Sequence, residues 1–328
     1  MNTLRFTAIG LIAAGLLAAC QPDAAQKQPA PAASAASAAT GATETKRIAI
    51  TAIVDHPSLN AIRQGVLDQL KAEGFEEGKN LQVDFQSAQG NPSTATQIAK
   101  KFAGDNPDVI VAITTPSAQA VAAATKTIPD VRAGITDPIG AKLIQNWQPS
   151  GTNITGTSNH RSMEPDLALM RELLPNLKNI GYVYSPGEAN SVSMLNDLRE
   201  QARKQGLNVV EAPAPTTAQV LTAARSLKGK ADVLFTVQDN NVVAAYDSMH
   251  KAAMEMKIPL IASDTKSVER GASAAIGVND YKIGLESGKM AAQILRGTVA
   301  GSIAPTKPTE FELHLNAKFA AEQGLSFS

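Results

Sequence analysis

Cysteine is almost absent: the 328 residues contain one, Cys20. A single thiol excludes an intramolecular disulfide framework and any thiolate-held metal cluster. Aromatic residues are also scarce, at 4%, which argues against an aromatic-rich β-sandwich and, with abundant Ala, for a helix-rich α/β protein. Net charge is missing as well, because thirty basic and thirty acidic side chains cancel. The chain therefore lacks the basic excess of a phosphate-tracking surface, and nucleic acid is not an expected partner. No apolar run reaches the ~20 residues needed to span a bilayer. The composition that remains, 44% hydrophobic and 18% charged, can bury one large core or two moderate ones.

The first residues read as an address. Met1 to Arg5 carries one positive charge, Phe6 to Leu17 is almost wholly apolar, and the run ends in Leu17-Ala18-Ala19-Cys20. That is the charged and apolar order of a secretory signal, and its end resembles the bacterial lipobox, in which cleavage before the cysteine leaves that cysteine lipidated. The sequence predicts a signal peptide over 1–19 and an acylated, palmitate-bearing Cys20 that anchors the protein to a membrane of the cell envelope, facing the periplasm or the exterior. Residues 21–45 hold ten Ala and three Pro and no Val, Ile, Leu or aromatic residue. Such a segment cannot build a core and is expected to act as a disordered tether with a reach of roughly 25–30 Å.

From Ile48 onward, short β-branched runs alternate with longer helical periods, as parallel α/β units do. Strands are expected at 48–54, 81–86, 108–113, 131–135, 179–184, 207–211, 232–237, 259–262 and 272–278. Helices are expected at 58–73, 93–103, 116–125, 162–174, 189–205, 217–227, 241–256 and 282–296. The pattern repeats: Asp108-Val109-Ile110-Val111-Ala112-Ile113 followed by Ile128-Pro129-Asp130-Val131 is echoed by Asp232-Val233-Leu234-Phe235-Thr236-Val237 and Ile258-Pro259-Leu260-Ile261. The reading is α/β, with two doubly wound parallel-sheet lobes and a ligand cleft between them. Lobe 1 is assigned 46–157 plus 264–299, and lobe 2 is assigned 158–263 plus 300–328.

Ligands of open parallel sheets sit outside the carboxyl ends of the strands. The loops there are Asp55-His56-Pro57-Ser58-Leu59-Asn60, Thr114-Thr115-Pro116-Ser117 and Thr136-Asp137-Pro138 in the first half. In the second half they are Ser185 to Ser191, Gln238-Asp239-Asn240-Asn241 and Ser263-Asp264. Thr115 reads as a helix N-cap with Pro116 at the first helical position. Taken singly, each residue is explained by helix capping. Facing each other, two such rims suit a small molecule of both charge signs: carboxylates for an ammonium, and hydroxyls, amides and helix N–H groups for a carboxylate.

These loops, with Glu77-Gly78-Lys79-Asn80, Asn153-Ile154-Thr155-Gly156 and Gly187-Glu188-Ala189-Asn190-Ser191, resemble the substrate-binding lipoproteins of ABC importers associated with tryptophan, tyrosine and phenylalanine uptake. The resemblance covers roughly residues 46–328. It implies a type I periplasmic binding protein fold with three crossover segments, closure on an amino acid, and a monomer that docks on an ABC permease served by a separate ATPase subunit. It implies no cofactor, metal or catalysis. It places the ligand carboxylate near Thr115, Ser117, Asn190 and Ser191. The ammonium is assigned to Asp137 first, then Asp239 and Asp264, with His56 and Tyr184 beside the side chain. Asn60, Thr114, Glu188 and Asn240 complete the expected set. The sequence departs from the pattern at Gln238 and at Asn279-Asp280-Tyr281, where an acidic-then-aromatic order is expected. The lobes are expected to hinge near 156–161, 261–265 and 298–308.

Two other classes remain open to the sequence. A lipoprotein sensor for another small polar solute would use the same binding chemistry and feed a membrane receptor. A cell-envelope enzyme is suggested only by Ser263-Asp264-Thr265-Lys266 and Ser248-Met249-His250-Lys251, whose S-x-x-K spacing has no K-T-G partner. The four histidines, at 56, 160, 250 and 314, support neither a local metal motif nor a triad.

Overall fold

The computed structural model describes residues 45–327. Cys20, the signal segment and almost all of the tether lie outside these residues. Five strands, β1 (Lys46–Ala52), β2 (Leu81–Ser87), β3 (Val109–Ile113), β4 (Asp130–Ile135) and β5 (Ile154–Ser158), form one sheet in the order β2-β1-β3-β4-β5. Every pairing in it is parallel. The central strand β3 is the run Val-Ile-Val-Ala-Ile, buried on both faces, as a covered parallel sheet requires. Helices α1 (Pro57–Ala72), α2 (Pro92–Asp105) and α3 (Thr115–Ala124) return the chain between these strands.

The second sheet contains β6 (Asn179–Tyr184), β7 (Asn208–Pro213), β8 (Val233–Thr236), β9 (Leu260–Ala262), β10 (Ala274–Gly277) and β11 (Glu312–Leu315), in the order β11-β10-β9-β8-β6-β7. It is parallel except at its edge, where β11 runs antiparallel to β10. Around it lie α4 (Glu164–Leu173), α5 (Ala189–Lys204), α6 (Val220–Arg225), α7 (Asn240–Ala244), α8 (Tyr246–Met256) and α10 (Ala317–Glu322). Tyr182, Phe235 and Tyr246 are fully buried in this lobe, so the few aromatics go where volume is needed. The expected helix 241–256 is broken into α7 and α8 at Ala245.

The remaining helix, α9 (Asp280–Leu295), follows β10 in sequence but packs on α1 in the first lobe. The approach is close because both faces are glycine. A Cβ at Gly284 would collide with the Ile62 carbonyl, and one at Gly65 with the backbone of α9. The expected placement of 264–299 in lobe 1 is therefore corrected: β10 pairs with β9 in the second sheet, and the chain crosses at Val278-Asn279 rather than near 261–265. The other crossings follow β5 and precede β11. Residues 300–306 first run beside β5, where Ser158 N–H donates to the Thr306 carbonyl at 2.8 Å and Thr306 N–H to the Gly156 carbonyl at 2.9 Å. This return explains why the Gly- and Thr-rich β5 is buried without a hydrophobic run to announce it. Gly156 itself has φ +154 and no room for a Cβ beside Arg132.

Candidate ligand-binding site

A cavity of about 440 Å³, counted out to its mouth, lies between the carboxyl ends of the two sheets. From the first lobe it is lined by His56, Leu59, Ile62, Thr114, Thr115 and Thr136. From the second come Asn190, Gln238, Asn240, Val243 and Asp264, and the crossings add Asn159 and Asp280. A larger cavity lies along the crossings, beside Thr157, Lys282, Glu286 and Glu310. Among the described residues, none of its lining side chains carries a buried polar atom without a partner. The cleft between the rims is different. His56 Nε2, Thr114 Oγ1, Thr115 Oγ1, Asn159 Oδ1 and Asn190 Oδ1 are all buried and find no hydrogen-bond partner in the protein. Buried polar atoms are nearly always paired, so this concentration marks a place where another molecule completes the bonding.

The first lobe offers donors. His56 caps α1 by accepting the Ser58 N–H on Nδ1 at 3.3 Å, followed by Pro57 at the first helical position. Burial lowers its pKa, against the pull of Asp264, so the ring is neutral and Nε2 carries the proton. At α3 the cap is Thr114 rather than Thr115. Thr114 sits at φ +76, strained for a β-branched residue, and makes no capping bond, which leaves two adjacent hydroxyls and the helix N-terminus toward the cleft. Ser117, one turn in, is buried with its hydroxyl unpartnered but does not line the cavity.

The second lobe offers acceptors on a braced frame. Asp239 caps α7 through Val242 N–H at 3.0 Å and receives Ser185 N–H at 2.6 Å, Ser185 Oγ at 2.7 Å and Ser191 Oγ at 2.5 Å. Each oxygen accepts two of these bonds, and neither Asp239 nor Ser191 lines the cavity. Glu188 receives Asn240 Nδ2 at 2.6 Å and Asn190 Nδ2 at 3.1 Å, and burial followed by the charge of Asp239 raises it to about 7. Asn190 Nδ2 also donates to the Gln238 carbonyl at 2.8 Å. The amide is thereby fixed with Oδ1 toward the cleft, an acceptor where the resemblance had placed a carboxylate-binding group. Asp264 caps the following 3₁₀ helix through Ser267 N–H and Oγ at 2.9 and 2.6 Å and still lines the cavity.

Of the expected residues, His56, Thr114, Thr115, Asn190, Asn240 and Asp264 line the cavity. Asn60 is exposed on α1, and Tyr184 packs near Tyr182. Asp137, first choice for the ammonium, instead accepts Gly140 N–H at 2.8 Å and the Ser193 hydroxyl of α5, so it bridges the lobes outside the cavity. Asp280, Asn159 and Gln238 were not in the expected set. Gln238 and Asp280 stand at the two places where the sequence departs from the family pattern, and Asp280 opens α9 at the second crossing.

A cleft of this kind, between two parallel sheets joined by three crossings, is the arrangement of a type I periplasmic binding protein. The family model for ABC transporter substrate binding proteins matches residues 47–328. The chain belongs to the ABC transporter substrate-binding family. As such it is a binding protein rather than an enzyme, and it serves an ABC transporter outside the cytoplasm. This substrate-binding protein is 37% identical over 308 residues to a tyrosine-binding protein of Clostridioides difficile, covering 94% of this chain and 89% of the relative. A Streptococcus pneumonia protein solved in complex with L-Trp superposes with a TM-score of 0.83 at 31% identity, covering 86% of this chain and 96% of that one. A ligand-free, open substrate binding protein from Clostridium difficile gives 0.65 at 38% identity, covering 87% and 96%. The less identical neighbour superposes better, so the lobes stand here nearer the arrangement of the L-Trp complex than that of the open structure.

Proposed function

We propose that this substrate-binding protein captures an amino acid, with L-tyrosine and L-tryptophan as the first candidates, and delivers it to its importer by closing two lobes around it. The observation that carries the reading is the meeting, in one cavity, of unpartnered donors from the first lobe with acceptors from the second. The ligand carboxylate fits Thr114, Thr115, His56 Nε2 and the start of α3, and the ammonium fits the Asp264 side. Leu59, Ile62 and Val243 supply apolar wall for a side chain. The relatives, one a tyrosine-binding protein and one solved as an L-Trp complex, support the same ligand class. Closure follows from differential affinity: a ligand touching both rims favours the closed state by whatever it gains from the second rim. The Leu17-Ala18-Ala19-Cys20 signal supports anchoring on the envelope through a lipidated Cys20.

Thermal unfolding of the compact body Thr43–Ser328, refolded to remove carried-over ligand, tests the reading against all common amino acids, sugars and nucleosides. Ligand at about a hundred times its Kd is expected to add roughly 2.7 kcal/mol, a shift of several degrees, for one or a few amino acids. A flat response to every amino acid, with a shift for a sugar or nucleoside, would overturn it.

A further inference from the structure

Two carboxylates, Asp264 and Asp280, line the same cavity, and neither lysine nor arginine lines it. Asp264 comes from the second lobe, after β9; Asp280 opens α9, which is seated on the first. Asp264 accepts one bond on each oxygen, from Ser267 N–H and Ser267 Oγ. Asp280 is buried and lines the same cavity. Asn190 Oδ1, 98% buried by its residue and fixed in orientation by its two Nδ2 bonds, presents a further unpaired acceptor to the same space. Three acceptors with no cation among them call for a positively charged, multiply donating group.

We propose that Asp264 and Asp280 form a single two-carboxylate seat for the ligand's ammonium, and that capture drives a proton from Asp280 into solvent. This rests on the amino-acid reading above and adds to it a residue and a proton. The balance is simple: the protonated Asp280 carboxyl loses H⁺ to the buffer, and the resulting carboxylate pairs with the arriving ammonium. Burial first and the charge of Asp264 second push Asp280 up to about 7, with Glu312 on β11 adding to the rise. Lys266 and the Ser58 hydroxyl pull it down. His56, the cap of α1, lines the same cavity, is held neutral by burial and feels Arg270, while Lys282 and Glu286 lie further along α9, where Lys282 pairs with Glu310. A fixed positive charge in the seat favours the ionised form. Affinity therefore rises with pH through the free value of Asp280 and falls as acid protonates it.

The test is calorimetric titration of Thr43–Ser328 with L-tyrosine and L-tryptophan near pH 7, in two buffers of different ionisation enthalpy. Release of about half a proton per ligand is expected, with binding on the order of tenfold weaker at about pH 5.5 than at about pH 7.5. Asp280→Asn is expected to abolish the release. Asp264→Asn is expected to diminish it, because Asp280 without that neighbouring charge is more ionised before the ligand arrives, and this second variant keeps the test open should the first fail to fold. 3-(4-Hydroxyphenyl)propionate, tyrosine without its ammonium, is expected to release none. Binding without proton release, or release that persists in Asp280→Asn, overturns the proposal and leaves the amino-acid reading standing. Absence of binding by any amino acid overturns that reading and this seat together.

Discussion

The two rims of the cleft are built from similar strand-to-helix loops yet manage their polar atoms in opposite ways. In the first lobe, Thr114 and Thr115 leave their hydroxyls unspent, and Thr114 holds a positive-φ backbone without any side-chain capping bond in return. In the second, Ser185, Ser191, Asp239 and Asn241 bond one another, and Glu188 ties Asn190 to Asn240. One rim is held ready by strain and the other by a closed network that frees chosen atoms only. Polar residues in loops thus divide into those that brace and those that wait for a ligand, and composition does not separate them.

The contrast predicts opposite outcomes for substitutions that look alike. Asp239→Ala removes the acceptor of four donors, two of them from Ser185 in the loop after β6 and one from Ser191 in the first turn of α5. It is expected to lower stability by about 3 kcal/mol in urea unfolding, because buried donors are left unsatisfied. A loss below roughly 1 kcal/mol would show that the network is not what braces this rim. Thr115→Val removes a hydroxyl that bonds nothing in the protein. Stability is expected to hold while amino-acid affinity falls about tenfold by calorimetry. Equal losses of stability and affinity would erase the distinction between the rims. The smallest effect is expected at Ser193→Ala, which cuts the bond from α5 to Asp137 across the mouth. Affinity should fall a few-fold, about 1 kcal/mol or less, and small-angle scattering of the unliganded body should register a more open average. An unchanged scattering profile would mean that this bond does not bias closure.

The strands and the loops after them are legible in the sequence because buried parallel strands must be β-branched runs, and Val109 to Ile113 could hardly be anything else. β5 is not legible, since Ile-Thr-Gly-Thr-Ser is buried by a segment some 150 residues later. β11 escapes because Glu-Leu-His-Leu is a short, exposed edge. Among the site residues, Asp239 and Asp264 are indistinguishable in sequence: each follows a strand and each caps a helix. What separates them is Ser185, 54 residues from Asp239, which with Ser191 and Val242 gives each Asp239 oxygen two bonds, whereas each Asp264 oxygen accepts one, from Ser267. Asp137 is drawn out of the site in the same way by Ser193. Partners so far apart in sequence leave no local mark.

The glycine seam between α1 and α9 has a bearing on how this site can vary over generations. Asp280 is the first residue of the helix that carries Gly284 and Gly288, and these glycines fix how deeply that helix sits against Ile62, Gly65 and Val66. A side chain gained anywhere along the seam would lift α9 and tilt its leading turn, moving Asp280 without touching any residue of the cleft. A change on the seam would thus reach the ligand cleft through the pose of α9 alone, with every residue of the two rims intact.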